Sequence, residues 1–307
     1  ALSMTACGGG NSASTDGSSN DGGASASGGS YKVSVILKTL AAEYWQYVKS
    51  GAEDYASEHS DKVTVEVKGP SSETAFDEMQ NMIETDLSSG TYDGIVISPL
   101  QSDTAAQLVS GTKLPIVAID TNFTAPEVKS FVGTGNEAAA KKGGEAAVEA
   151  AKAAGWTDIK CIEIAGVQGD QTNTARMNGY KAGVEEAGGT FLSDEVQYAD
   201  ATADRATTAM EAIMQTHPEG IAIICANNDD MAMAAARAAQ GHDAYKNTIF
   251  LGFNGDRAAC EAILDGQMTM SVAQMAYEMG YKAVETMVQV LDGETVDEFV
   301  DSGSDVI

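Results

Sequence analysis

Ligand-holding side chains in this chain cluster one or two places after short β-branched runs. In chain order they are Lys38 and Thr39; Ser98 and Pro99; Asp120, Thr121 and Asn122; Thr134; residues 168–173; residues 227–230; Asn254; and Gln274. Where parallel strands end, loops converge on helix N-termini whose first N–H groups are free, so polar residues there face a common ligand position. The set is rich in planar forks. Asp, Asn, Gln and Arg side chains each bond two neighbouring hydroxyls at once, and aromatic rings complement the apolar C–H face of a pyranose. Arg176, one of four Arg in the chain, opens Arg-Met-Asn-Gly-Tyr on an amphipathic stretch, either as a solvated helix residue or as part of a site. The 227–230 segment, Asn-Asn-Asp-Asp, reads as a helix cap, as ligand contact or as both. Asp120 to Asn122 reads as an Asx-type turn or as a hydroxyl acceptor. By helical spacing Tyr44, Tyr47, Val48 and Gly51 share a core face, and Trp45 lies on a bearing freer to meet a ligand.

Other chemistries lack their residues. The segment Gly133-Thr-Gly-Asn-Glu-Ala138 matches G-x-G-x-x-A, but it is fifth in strand order and the next strand ends without a carboxylate. It is read as a Gly turn in which Thr134 or Asn136 caps the following helix. No G-x-S-x-G, P-loop or H-E-x-x-H is present. The 3 His are scattered and the 4 Cys form no metal-ligand spacing, so no metal and no cofactor is expected. A formal charge of -27 repels phosphate backbones and anionic membrane surfaces, which argues against nucleic acid as a partner.

The elements that must position the site alternate between strand-like and helix-like patterns. Strands are expected at residues 33–37, 63–67, 94–97, 116–119, 130–132, 160–164, 221–225, 249–253 and 270–272. Helices are expected at 74–88, 136–154, 172–187, 203–216, 229–240 and 275–291. The fold class is α/β, with near-continuous apolar strands covered on both faces and too numerous for one sheet. Cys161, Cys225 and Cys260 sit in apolar runs and read as buried thiols. No run reaches the length of a membrane-crossing helix.

Residues 8–30 are dominated by Gly and Ser and hold no Lys, Arg, aromatic or branched apolar residue. They are expected to form a flexible tether that reaches roughly 25–30 Å. Ala6 before Cys7, with that tether behind, looks like the tail of a bacterial lipoprotein signal whose Cys becomes lipidated, the rest of the signal being cut away.

The order of segments from Tyr31 onward resembles the type I periplasmic sugar-binding proteins of bacterial ABC importers. The stretches that carry the likeness are Gly94-Ile-Val-Ile-Ser-Pro99, Pro115-Ile-Val-Ala-Ile-Asp120, Arg176-Met-Asn-Gly-Tyr180, Asn228-Asp-Asp-Met-Ala232, Leu251-Gly-Phe-Asn-Gly255 and Ser271-Val-Ala-Gln274. The resemblance implies two Rossmann-like lobes with parallel sheets joined by a three-stranded hinge. The lobes would be residues 31–134 with 275–300, and 135–274 with 301–307, after a signal remnant and linker at 1–30. It further implies a monosaccharide held between the lobes and handed unaltered to ABC permease transmembrane subunits by a receptor that is not an enzyme. This receptor would be monomeric and anchored at the cell surface or in the periplasm through Cys7, its only tie to the membrane.

Carried over, the ligand set is Lys38, Tyr44, Trp45, Asp120, Thr121, Thr134, Arg176, Asn228, Phe253, Asn254 and Gln274. Ala42, Thr121, Ala201 and Asn254 depart from the ribose-binding pattern, whereas Lys38 and Asn254 are similar to the arabinose-binding one. The expected ligand is therefore an arabinose-, galactose- or glucose-like aldose. The alternative is autoinducer-2 or another small polyol, since Lys38, the Lys68-Gly-Pro70 run and Asp170-Gln171 are similar to receptors of that furanone.

Overall fold

The computed structural model describes residues 30–307; the Cys7 and tether expectations lie outside the described residues. In chain order the elements are β1 (Tyr31–Ile36), α1 (Glu43–Glu58), β2 (Val63–Lys68), α2 (Phe76–Ser88), β3 (Gly94–Ile97), α3 (Ser102–Val109), β4 (Ile116–Ile119) and β5 (Val128–Gly133). Then come α4 (Asn136–Ala153), β6 (Lys160–Ala165), α5 (Gln171–Glu186), β7 (Thr190–Phe191), β8 (Gln197–Tyr198), α6 (Ala203–Thr216), β9 (Ile223–Ala226), α7 (Asp229–Ala239) and β10 (Ile249–Asn254). The chain closes with α8 (Arg257–Leu264), β11 (Met270–Gln274), α9 (Ala276–Leu291), β12 (Phe299–Asp301) and β13 (Ser304–Val306).

The strands form two sheets, ordered β12-β5-β4-β3-β1-β2 and β13-β11-β10-β9-β6-β7, with β8 also on β6. All pairings are parallel except β13 on β11. Their central strands, β3, β4 and β9, are buried at every position, which is why they are continuous apolar runs rather than alternating ones. Each sheet carries helices on both faces: α1 and α9 opposite α2 and α3 on the first, α4 and α5 opposite α6 and α7 on the second. The chain passes between the sheets after β5, after β11 and between β12 and β13.

Close helix contacts hold each layer together. The Cβ of an alanine at Gly280 would stand 1.9 Å from the Val48 carbonyl oxygen, and one at Gly51 would stand 2.0 Å from that of Tyr277. Glycine at both places lets α1 and α9 touch backbone to backbone, which ties the returning C-terminal segment to the first sheet.

Several expectations need correction. The strand expected at 221–225 runs from Ile223 to Ala226, because Ile221 and Ala222 only lead into the sheet. α3, α8, β12 and β13 were not foreseen: both helices span 8 residues, about two turns, and both strands span 3 residues with no fully buried position. The helix after β5 is capped by neither Thr134 nor Asn136; its N-cap is Gly135, and both side chains bond elsewhere. Tyr47 is 37% exposed rather than core, and its hydroxyl donates to Glu43. Cys161 and Cys225 are buried, whereas Cys260 is half-buried.

Candidate functional site

The carboxyl ends of the two sheets face each other across a cleft that narrows to a cavity of about 40 Å³. That is well below the roughly 300–1,000 Å³ common to small-molecule sites, so in this arrangement the lining side chains fill most of the gap. The first sheet contributes Lys38, Ala42, Tyr44, Trp45, Glu73 and Asp120; the second contributes, among others, Asp170, Asn173, Arg176, Asn227, Asn228 and Asn254. Lys38 follows β1, Asp120 follows β4, Asn227 follows β9 and Asn254 ends β10, so the backbone alone aims them into one gap.

Asp120 sits in the left-handed region at φ 63, a conformation uncommon for residues other than glycine. Surrounding contacts hold it there. Its carboxylate accepts from the Tyr44 hydroxyl at 2.7 Å and from the Thr121 hydroxyl at 2.8 Å. Tyr44, in turn, packs edge-on against Trp45, with ring centroids 4.9 Å apart. The Trp45 indole N–H donates to Glu73 at 3.0 Å. Burial pushes the Glu73 carboxyl up, against the opposing pull of Lys38 and of the Trp45 hydrogen bond. Trp45 is therefore a buried wall of the cleft, with only 3% of its surface exposed.

Arg176 presents a cation from the opposite side. Its guanidinium lies 3.8 Å from the Phe253 ring centroid, with Nε donating to Asn136 Oδ1 at 2.9 Å and Nη1 to the Asn227 carbonyl at 2.8 Å. It is 5% exposed, which excludes the solvated-helix reading. Asn228 Oδ1 accepts from the Met231 N–H at 2.9 Å while the residue also lines the cleft, so capping and cleft lining coexist.

Bonds also cross the seam. The Thr121 and Thr172 hydroxyls share a hydrogen bond at 2.6 Å, and the Lys38 ammonium pairs with the Asp170 carboxylate. Asp170 caps α5 at the same time, accepting from the N–H groups of Thr172 and Asn173.

Of the expected ligand set, Lys38, Tyr44, Trp45, Asp120, Arg176, Asn228 and Asn254 line the cleft. The other four stand behind it. Phe253 backs Arg176, and Thr121 backs Asp120. Thr134 donates to Gln274 Oε1 at 2.8 Å, and Gln274 donates to Asn254 Oδ1 at 2.9 Å, which links both crossing segments to the wall. Glu73 was missed because it stands alone in the β2–α2 loop, outside any motif. Asn136 was read only as a cap, although its oxygen holds Arg176.

Residues 33–295 match the family model described as a periplasmic binding protein domain. The chain is 28% identical over 268 residues to a ribose import binding protein of Escherichia coli, covering 86% of each. It is 30% identical over 264 residues to a D-allose-binding periplasmic protein of Escherichia coli, covering 83% of this chain and 82% of that one. A carbohydrate transporter solute binding protein from Agrobacterium radiobacter, solved in complex with D-arabinose, superposes with a TM-score of 0.82 at 24% identity, covering 91% of this chain and 94% of that one.

Proposed function

Because the chain belongs to the periplasmic binding protein family, we propose that it is an extracytoplasmic receptor that binds a monosaccharide and delivers it to an ABC importer. One observation carries the binding reading: Asp120 and Arg176, both buried and planar, approach the same gap from different sheets. A neutral polyol bridging them bonds both only when the sheets are close, so ligand favours closure and release follows opening. In this reading the sugar leaves chemically unaltered and the receptor is no enzyme.

The mobile units are residues 31–134 with 275–300 and residues 135–274 with 301–307. Sheet membership supports this division except at its last boundary, since β12 stays on β5 through Asp301 whereas β13 joins β11. Lipid anchoring through Cys7 and a monomeric state belong to the proposal, the first resting on the Ala6-Cys7 step and the Gly/Ser tether. Lys38 and Asn254 favour an arabinose-, galactose- or glucose-like aldose; the ribose- and allose-binding relatives add those two sugars to the candidates.

The test is a thermal-shift screen of pentoses, hexoses, inositols and autoinducer-2, followed by chromatography of the recovered ligand. A ligand at a hundred times its Kd stabilises the native state by about 2.7 kcal/mol, which is readily seen. A response to one or a few monosaccharides, recovered intact, is expected. Silence across every monosaccharide, or a chemically changed sugar, overturns the reading.

A further inference from the structure

Beneath the Arg176 wall lies a carboxyl group that the binding reading does not use. Glu163 stands in the middle of β6, 0% exposed, in register with Cys225 of β9. One of its oxygens accepts from the Asn227 side-chain amide at 3.5 Å. The other has no hydrogen-bond partner among the described residues. An orphaned buried carboxyl oxygen is costly and calls for an account.

Its neighbourhood leads to the cleft. The Asn227 amide that reaches Glu163 also donates to the Asn173 carbonyl at 3.3 Å, and the Asn227 carbonyl accepts from Arg176. Asn173 Oδ1 in turn accepts from the Gly166 N–H at 2.7 Å. Asn173 and Asn227 thus line the cleft, and Glu163 lies beneath them, bonded to Asn227. The acceptors that hold Arg176 are neutral, so this buried cation makes no direct ion pair among the described residues. The charged and titratable groups facing Glu163 are Arg176 and Tyr180 from α5 and Cys225 from β9. The buried residues of α4, Asn136, Ala139 and Ala140 among them, include no titratable group.

We infer that Glu163 is a positioning residue for Arg176, acting through Asn227, and that its proton sets how the guanidinium is presented to the ligand. Burial pushes this carboxyl up to about 8, against the opposing pull of the Asn227 hydrogen bond and the Arg176 charge. It therefore changes charge within the range in which an extracytoplasmic protein works. Ligand in the cleft removes further water above Glu163, which favours the neutral carboxyl. Binding takes up a proton, and affinity falls as the pH rises through that value.

The experiment has two arms. The first needs no sugar: the Nε–Hε signals of the four Arg are followed by NMR on uniformly 15N-labelled protein, with Arg176→Ala for assignment. The Arg176 signal is expected to move with a midpoint near pH 8 in the wild type and to stay still in Glu163→Gln. An unmoving wild-type signal, or the same titration in both proteins, overturns the inference. The second arm rests on the receptor reading and uses calorimetry with the best binder of the sugar screen. Wild-type affinity is expected to fall at least threefold between about pH 7 and about pH 9, and Glu163→Gln to lose that dependence. Equal pH profiles overturn the inference even where Glu163→Gln weakens binding overall. If no sugar binds, the receptor reading fails and the NMR arm alone decides.

Discussion

The Lys38 ammonium and the Asp170 carboxylate form a buried ion pair across the seam, one residue following β1 of the first sheet and the other capping α5 on the second. The two residues are 3% and 5% exposed. Burial alone would lower the lysine pKa, yet the carboxylates of Asp170, Asp120 and Glu73 together hold it above its ordinary value. Removing one partner of a buried pair leaves the other charge uncompensated, at a cost of about 3–5 kcal/mol. Lys38→Met should therefore disfavour the closed arrangement, and small-angle scattering without added sugar should report a larger radius of gyration than for the wild type. Superimposable profiles would mean that the pair does not hold the seam.

Arg176→Ala removes the cation that faces the first sheet and leaves the Asn136 oxygen and the Asn227 carbonyl without their donor. Binding of the cognate sugar should weaken by roughly 2–5 kcal/mol, the usual cost of truncating one member of a buried hydrogen-bonded charged set. Arg176→Lys keeps the charge but loses the planar fork, so it should recover only part of the loss. A change of less than about threefold in calorimetry, well under 1 kcal/mol, would take Arg176 out of the site.

Asp256, before α8, and Asp229, at the start of α7, form a buried acidic pair. The Asp229 carboxylate accepts from the Asp256 N–H at 2.9 Å and from the Ser271 hydroxyl at 2.6 Å. Burial first, and the neighbouring carboxylate second, push Asp256 up to about 8; burial pushes Asp229 up to about 6. Both hold their protons more tightly folded than unfolded. The stability they contribute is thus complete below the ordinary carboxyl range, near pH 4, and is lost as the pH rises through those two values. Asp256→Asn should gain on the wild type by about 1–3 kcal/mol in urea unfolding between about pH 5 and about pH 8.5. A constant difference across that window would show that Asp256 does not titrate there.

Gly280→Ala drives a methyl group into the Val48 carbonyl, and the contact is backbone on backbone, so no side chain can move aside. α1 and α9 must then separate. Overpacking of this kind costs typically about 1–3 kcal/mol and sometimes more. The melting temperature should fall accordingly, and an unchanged value would show that the helices are free to shift.

Much of this arrangement was legible without coordinates, and the parts that were not share a cause. Asp120, Asn227, Asn228 and Asn254 announced themselves because each follows an apolar run, and the ends of parallel strands are where loops meet. Tyr44 and Trp45 were harder to judge, since a helix face seen in isolation does not reveal which neighbour covers it. Tyr47 looked like core by spacing yet is 37% exposed, its hydroxyl bonded to Glu43. Thr134 and Asn136 looked like caps because local rules favour them, yet each met a stronger partner in Gln274 or Arg176.

The sequence by itself determined the alternation of strand and helix, the burial of both sheet faces and the chemical types available at the strand ends. These are local properties, encoded in apolar period and in polar residues that punctuate it. Only the tertiary structure decided that Lys38 would meet Asp170, 132 positions away, that Thr121 would meet Thr172, and that β12 and β13, separated by two residues, would join different sheets. Such pairings depend on how whole layers pack, because a side chain's charge or hydroxyl marks what it needs but not which distant segment will bring the partner.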